Sequence, residues 1–308
     1  MLNNEIQYIT NSPVLFLTFN RLDTTKKVFE VIKQVKPPKL YLASDGARVN
    51  KSGEKEIVES VRNFLLNNID WQCEVKTLFR EQNLGCGKAV SSAINWFFEN
   101  EEMGIILEDD CLPSISFFRF CDELLIRYKD DERIMHISGD NFQDGISRGD
   151  GSYYFSQISH VWGWAAWRRA WKLYDFEIKS LNNFINYKIY KNLWKQNKVR
   201  KYWLKQFKKV SLGKINTWDY QWNYCLILNN GLSILPNINL VENIGFNSEA
   251  THTSNSKLKM PSANEIKFPL THPQFFVPDL EADTYTFNKH YQQSLLSKIK
   301  GKLKTTLK

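Results

Sequence analysis

The sequence predicts an α/β protein whose sheet is mixed and mostly parallel. Short apolar runs rich in β-branched and aromatic residues alternate with amphipathic segments through the first half of the chain. Polar or charged residues stand where the apolar runs end. The chain has 308 residues, 43% of them hydrophobic, which is ample for a packed core. No stretch approaches the roughly 18 to 20 uninterrupted apolar residues of a membrane span.

The first half of the chain is predicted to alternate strands and helices. Four strands are predicted, at residues 13–20, 39–46, 73–81 and 104–110. Three helices are predicted between them, at residues 23–35, 54–68 and 89–100. Strands and helices that alternate in this way favour a parallel sheet with helices on both faces, because parallel neighbours need crossover connections.

The pattern changes after residue 112. Residues 114–128 are predicted to form an amphipathic helix, residues 133–142 a strand and residues 143–151 a polar loop. Residues 230–246 contain a turn followed by strand-like apolar pieces. From residue 257 onward we expect loops and then a basic tail.

Positive charge is concentrated in one block of the sequence. The chain has a formal net charge of +8, yet no acidic residue occurs between Glu177 and Asp219, where lysine and arginine recur. Such a block is either a solvated helix or a surface for anionic partners such as phospholipid headgroups, a lipid-diphosphate acceptor or nucleic acid. After Asp283 the chain again has lysines and no acids, with leucines and isoleucine spaced as in a weak interfacial helix.

The cysteines and the N-terminal residues predict the compartment. The five cysteines form no CxxC pair and have no nearby histidine at zinc-finger spacing, so neither a disulfide framework nor a structural zinc is indicated. The first residues lack the basic and then apolar pattern of a signal peptide. We therefore expect a cytoplasmic protein.

Charged residues follow three of the predicted strands. In parallel α/β sheets, ligands bind beyond the carboxyl ends of the strands, where the strand order reverses. The strand ends carry Arg21, Asp45 and the triplet Glu108, Asp109 and Asp110. Three adjacent acids repel one another, so either solvent surrounds them in a turn or a cation compensates them. Carboxylates suit Mg²⁺ or Mn²⁺, which also take phosphate oxygens as ligands.

Other segments allow two interpretations each. Trp162, Gly163 and Trp164 begin an aromatic run that could pack in the core or present flat faces to a sugar. From the local sequence, Asp219 is predicted to cap a helix. Lys88 could be an exposed lysine or could contact an anionic ligand in the donor site. No GxGxxG or P-loop spacing occurs, which argues against a dinucleotide fold or an NTPase.

Six short motifs occur in order over residues 13–255: TFNR, SDG, LEDD, WGWAAW, TWDYQW and SEATHT. Together they resemble the GT-A fold glycosyltransferases, which use nucleotide sugars, and most of all the branch typified by N-acetylglucosaminyltransferase I together with bacterial sugar transferases of polysaccharide loci. The resemblance implies a Rossmann-like GT-A domain with a nucleotide-sugar half at residues 1–112 and an acceptor and catalytic half at residues 113–256. A C-terminal extension with a basic amphipathic tail would follow at residues 257–308.

The resemblance also implies roles on the donor side. Arg21 would lie near the diphosphate or the base, and Asp45 would accept a hydrogen bond from the nucleobase. Glu108 and Asp109 would hold hydroxyl groups of the donor sugar and the ribose. Asp110 would contact the metal ion, Mn²⁺ or Mg²⁺.

On the acceptor side, the resemblance makes Asp219 the catalytic base, and residues 162–164 would line the donor sugar and acceptor pocket. A loop at the SEATHT motif would close over the diphosphate, which makes Ser248, Thr251 and His252 candidates for phosphate or metal-shell contacts. His252 is equally compatible with a surface position. A carboxylate that removes the acceptor proton opposite the leaving diphosphate gives inversion at the sugar.

The sequence thus predicts a metal-dependent, inverting glycosyltransferase that moves a sugar from a UDP-sugar to a glycan or lipid-linked acceptor in bacterial surface polysaccharide synthesis. We expect it in the cytoplasm, peripheral at the inner face of the cytoplasmic membrane, which it would contact through segments 179–214 and 289–308. We expect no nucleic acid partner. A nucleotidyltransferase, or a basic nucleic-acid-binding protein with an inactive α/β domain, are the alternatives.

Overall fold

A computed structural model describes residues 8–245 and 261–291 of the chain. Eight strands form one sheet, and two short strands, β5 and β10, pair separately. In chain order the strands are β1 (Val14–Thr18), β2 (Lys39–Ser44), β3 (Glu74–Phe79), β4 (Met103–Glu108), β5 (Cys111–Pro113), β6 (Ile134–Ser138), β7 (Tyr153–Ser156), β8 (Trp164–Trp167), β9 (Leu232–Pro236) and β10 (Val241–Asn243).

Ten α-helices and one π-helical turn are found among the described residues. They are α1 (Leu22–Val35), α2 (Glu54–Asn67), α3 (Cys86–Asn100), α4 (Ile115–Arg127), α5 (Arg168–Trp171), α6 (Leu181–Asn186), α7 (Tyr190–Leu193), α8 (Asn197–Ser211), α9 (Asp219–Leu228), α10 (Leu280–Thr286) and the π-helical turn Phe287–Tyr291. The predicted strands and helices of the first half are confirmed, with ends that differ by a few residues.

The strands of the large sheet lie in the order β3-β2-β1-β4-β8-β6-β9-β7. Only β8 and β7 run antiparallel to their neighbours, so the predicted mixed, mostly parallel sheet is confirmed. The chain order runs outward from β1 to β3 on one side and continues from β4 on the other. The strand order therefore reverses between β1 and β4, and a crevice for ligands is expected at their carboxyl ends.

Apolar side chains bury both faces of the sheet. Val14, Leu15 and Phe16 of β1 are fully buried, and they point alternately to opposite faces because strand side chains have a period of two. On one face α1 covers the sheet with Val28 and Ile32. The apolar residues of α1 recur three and four positions apart, which is why this segment forms an amphipathic helix.

The C-terminal segment 261–291 packs against the rest of the fold, where the sequence predicted loops. Asp279 caps α10 by accepting the N–H of Ala282 at 2.8 Å, and its own N–H donates to the Phe155 carbonyl at 2.8 Å. The carboxylate of Glu265 accepts the N–H groups of Ile115 and Ser116 at the start of α4. The loop prediction was wrong for α10 because this short helix is stabilised mainly by tertiary contacts.

No helix in the described part of the chain is long and apolar enough to cross a bilayer.

Candidate active site

The carboxyl ends of β1 and β4 bring a guanidinium and three carboxylates together. Arg21 directly precedes α1, and the Thr25 hydroxyl donates to its carbonyl at 2.7 Å. Glu108 ends β4, and Asp109 and Asp110 follow it. Because β1 and β4 are parallel neighbours, with Leu17 opposite Glu108, both strand ends open on the same crevice. This meeting follows from the predicted topology.

Arg21 bridges two of the carboxylates. Its Nη1 donates to Asp110 Oδ2 at 2.8 Å, and its Nη2 donates to Asp109 Oδ1. The Phe19 N–H also donates to Asp109 Oδ2 at 3.3 Å. A planar guanidinium has donors placed to serve two acceptors at once, so one cation compensates two neighbouring negative charges.

The site holds more acidic groups than Arg21 compensates. Burial, then the charges of Asp110 and Asp109, raise the pKa of Glu108 to about 8. Burial raises the pKa of Asp109 to about 6 although the positive charge of Arg21 opposes that shift. Burial lowers the pKa of Arg21, but the charges of Asp109 and Asp110 outweigh it and raise that pKa. A further cation in this crevice would therefore be stabilised.

The chemistry of these side chains fits a hard divalent cation that is shared with a ligand. Within residues 8–245 and 261–291, no group of three histidine, cysteine or acidic side chains could hold an ion alone. Mg²⁺ and Mn²⁺ commonly take one or two protein carboxylates and complete their coordination with phosphate oxygens and waters. Asp110, 15% exposed in its side chain, would be the protein ligand in such an arrangement.

Asp219 belongs to the same electrostatic environment. It is the first residue of α9, and the residue that caps this helix is Trp218, which makes no side-chain capping bond. The Thr217 hydroxyl donates to Asp219 Oδ1. The negative charge of Asp219 makes a small contribution to the raised pKa of Glu108. The fold thus brings the predicted base toward the strand-end carboxylates.

Several groups around Asp219 were missed by the sequence interpretation. Burial raises the pKa values of Tyr202, Tyr220 and Tyr291, with a smaller contribution from the charge of Asp219. Desolvation, then the charges of Glu108 and Asp219, raise the pKa of the Cys86 thiol to about 12. Tyr220 directly follows Asp219 in the TWDYQW motif, whereas Tyr202, Tyr291 and Cys86 come from distant segments that no local motif connects to it.

The structure gives Asp45 a role that the sequence did not predict. Its Oδ1 accepts the N–H groups of Gly46 and Leu84, each at 3.0 Å, and its Oδ2 accepts the N–H of Gly85 at 3.0 Å. Backbone amides therefore occupy the carboxylate that was expected to accept a hydrogen bond from a nucleobase. Lys88, in the first turn of α3, is exposed.

Trp164 lies in the core, which corrects the interpretation that it stacks on a sugar. Its side chain is fully buried, and its ring stacks on His136 at 5.1 Å and on Trp218 at 5.5 Å between ring centroids. Trp162 is half-buried and meets Phe142 edge to face at 5.1 Å. Of the two tryptophans, only Trp162 keeps a partly accessible ring.

Gly163 is required by backbone conformation and packing. Its φ is +66°, and a Cβ there would lie 2.7 Å from Val241 Cγ2 and 3.2 Å from Leu107 Cδ2. Its carbonyl accepts the Gly139 N–H at 2.8 Å, which joins the start of β8 to the end of β6. Contact of Gly163 with a donor sugar stays a prediction.

We expect Gly163→Ala to lower the free energy of unfolding by about 3 kcal/mol, because positive φ and overpacking both disfavour a side chain. Gly213→Ala is the matched control, since Gly213 has φ +65° and a Cβ added there would meet no atom within 4 Å. The control should cost about 1 kcal/mol, from backbone strain alone. Urea denaturation measures both, and equal losses would show that packing at Gly163 does not matter.

Ser248, Thr251 and His252 lie outside the described residues. The described residues just before them, up to Gly245, lie beside Asp110. Strand β10 pairs antiparallel with β5, and the Ile244 N–H donates to the Asp110 carbonyl at 2.8 Å. A Cβ at Gly245 would lie 2.3 Å from Asp110 Oδ2, so the chain passes directly beside this carboxylate.

No protein-family model matches the chain, and the search of curated proteins found no match. Solved structures with a similar arrangement include the galactosyltransferase LgtC in complex with donor and acceptor sugar analogs, with 12% identity, 70% of each chain covered and a TM-score of 0.36. HddC from Yersinia pseudotuberculosis has 12% identity over 51% of this chain and 77% of that chain, with a TM-score of 0.32. Residues 1–349 of S. aureus TarS have 11% identity over 51% of this chain and 47% of that chain, with a TM-score of 0.31. We draw no functional conclusion from likenesses of this strength.

Proposed function

We propose that the chain is a metal-dependent, inverting glycosyltransferase of the GT-A type that uses a nucleotide diphosphate sugar, with a UDP-sugar as the donor. One observation carries the proposal. Arg21 and the carboxylates Glu108 to Asp110 converge at the point where the strand order reverses, and the start of α3 packs against the segment that carries the half-buried Asp219. A guanidinium suits a diphosphate, and a separate carboxylate suits the acceptor hydroxyl.

Each residue of the proposed site has its own role in the reaction. Arg21 binds the diphosphate, and Glu108 holds hydroxyl groups of the donor. The predicted hydroxyl contact of Asp109 does not fit the structure, because its side chain is buried and its oxygens accept from Arg21 and the Phe19 N–H, so it holds the guanidinium in place. Asp110 holds Mn²⁺ or Mg²⁺, which when bound stabilises the charge that develops on the leaving diphosphate. Asp219 removes the proton from the acceptor hydroxyl as the new bond forms on the opposite side of the anomeric carbon.

A calorimetric screen of UDP-, GDP-, CMP- and TDP-sugars, with and without Mn²⁺, tests this proposal. We expect one donor, a UDP-sugar, to bind, and to bind more tightly when Mn²⁺ is present. Failure of every nucleotide sugar to bind, together with strongly salt-dependent binding to DNA or RNA, would support a nucleic-acid-binding protein instead.

The basic platform, which comprises residues 179–214, is the reason to propose an acceptor at the membrane surface. It carries eleven lysines and arginines and no acid. Tyr187 and Leu212 in it are 73% and 67% exposed, and its helix α8 packs against α9, which begins with Asp219. Lysines beside exposed apolar side chains suit the headgroup region of an anionic bilayer. We propose that the acceptor is a glycan or lipid-linked molecule of bacterial surface polysaccharide synthesis. The protein would reach this acceptor at the inner face of the cytoplasmic membrane, and segment 289–308 would add further contacts with the membrane.

Vesicle sedimentation measures the binding of the basic platform to an anionic membrane. The triple variant Lys201→Glu, Lys205→Glu, Lys208→Glu should bind phosphatidylglycerol vesicles about a hundredfold more weakly than the unaltered protein, since each lysine near an anionic surface contributes about 1 kcal/mol. All three side chains are exposed on α8.

The matched control is Lys27→Glu, Lys51→Glu, Lys55→Glu, which reverses three exposed lysines in the other half of the chain. It should bind vesicles as the unaltered protein does, apart from the small effect of net charge. Equal loss in both triple variants would show that net charge, and not the basic platform, governs binding.

A further inference from the structure

Two glycines at the start of α3 allow the segment before Asp219 to pack directly on the donor side. A Cβ at Gly85 would lie 2.5 Å from Asn216 Nδ2, and a Cβ at Gly87 would lie 2.8 Å from the Thr217 carbonyl oxygen. The Gly87 N–H donates to Asn216 Oδ1 at 2.9 Å. The glycines of the GCGK sequence therefore serve this close approach.

The other side of the same loop is fixed by Asp45. Its carboxylate accepts the N–H groups of Leu84 and Gly85 at 3.0 Å, next to the end of β2. Asp45 and Asn216 thus hold the loop from opposite sides. A continuous path of hydrogen bonds and chain connections leads from the carboxyl end of β2 to the segment that carries Asp219.

Thr217 completes this path. Its hydroxyl donates to Asp219 Oδ1, and its carbonyl accepts the Gln221 side-chain amide at 2.7 Å. Gln221 is almost fully buried, so the backbone of Thr217 is held from the helix side as well. The orientation of the Asp219 carboxylate is set by a residue that is itself fixed at two points.

We propose that Thr217 is a positioning residue for the base Asp219, and that Asn216 docks the pair onto the loop held by Asp45. This inference rests on the proposed function of Asp219. The hydrogen bond from Thr217 stabilises the charged form of the carboxylate and fixes its orientation toward the acceptor hydroxyl.

The other titratable groups near Asp219 do not compete with Thr217 for this role. They include Glu108 at the end of β4, Cys86 in α3, Tyr174 after α5, Tyr202 in α8, Tyr220 in α9 and Tyr291 in the π-helical turn. The tyrosines and the thiol stay neutral at neutral pH. Burial and the charges of Asp110 and Asp109 raise the pKa of Glu108, so little of it is charged at neutral pH, and the Thr217 hydroxyl is the group seen to donate to Asp219.

The pH profile of kcat in Thr217→Val tests the role of the hydroxyl. Valine keeps the shape of threonine but cannot donate a hydrogen bond. We expect kcat to fall about tenfold and the acid limb of the profile to move up by about one pH unit, because a hydrogen bond to the charged base is lost. Thr217→Ser should restore both. An acid limb in the valine variant that coincides with that of the unaltered protein would overturn the proposal.

Asn216→Ala tests the docking contact. We expect kcat to fall about tenfold while the KM for the donor changes by less than about twofold, because the base is displaced and the donor contacts stay. The control is Asn182→Ala, which changes an exposed asparagine of α6. A higher KM for the donor with an unchanged kcat would contradict the role assigned to Asn216. Absence of any transfer by the unaltered protein would instead contradict the proposed function and, with it, this assignment.

Discussion

Asp219→Asn should lower the rate of sugar transfer by about a thousandfold, the range in which general bases contribute to catalysis. Asparagine has the size of aspartate, but its amide cannot take a proton from the acceptor hydroxyl. Donor binding should be unchanged, because the proposed contacts with the diphosphate come from Arg21 and from the metal ion that Asp110 would hold. Transfer is measured with a saturating nucleotide sugar, and binding is measured by calorimetry.

A second aspartate provides the control for this substitution. Asp150→Asn changes an exposed side chain in the 143–151 loop and should transfer sugar at the normal rate. Undiminished transfer by Asp219→Asn would remove Asp219 as the base. Loss of donor binding along with transfer would mean that the side chain holds the donor or the local fold instead.

The first half of the fold could be predicted because most of its strands are continuous apolar runs and its helices are amphipathic. The runs at β1, β2 and β4 are continuously buried, and helices such as α1 are amphipathic, so the pattern alone separates strand from helix. Strands β7 and β8 were not predicted. Each has only four residues, too few to stand out as an apolar run of strand length.

The site could be predicted only as far as strand ends determine it. The pattern predicted that Arg21 and Asp110 lie at one edge of a parallel sheet, and they meet because β1 and β4 are neighbours at the reversal of strand order, which the structure supplies. Asp45 also lies at a strand end, but its partners are amides of a loop whose conformation the pattern does not reveal. Trp164 likewise stands in a motif that suggested a ligand, and only the packing of Trp218 and His136 around it identifies a core position.

Asp110→Ala should weaken Mn²⁺-dependent binding of the nucleotide sugar by about a hundredfold or more, since even partners outside the coordination shell change metal affinity by about 10- to 100-fold. Binding without metal should be no weaker than in the unaltered protein. The substitution removes one of the two carboxylates that engage Arg21, so its guanidinium becomes freer to bind the diphosphate.

Titrations of the nucleotide sugar with and without Mn²⁺ distinguish loss of a metal ligand from general damage to the site. A variant that is locally misfolded would lose binding both with and without Mn²⁺, whereas loss of a metal ligand removes only the increment that Mn²⁺ provides. Asp150→Ala should keep that increment, because Asp150 lies in an exposed loop. An undiminished Mn²⁺ effect in Asp110→Ala would contradict the metal assignment. In that case Arg21 would be left as the cation that holds the diphosphate at this crevice.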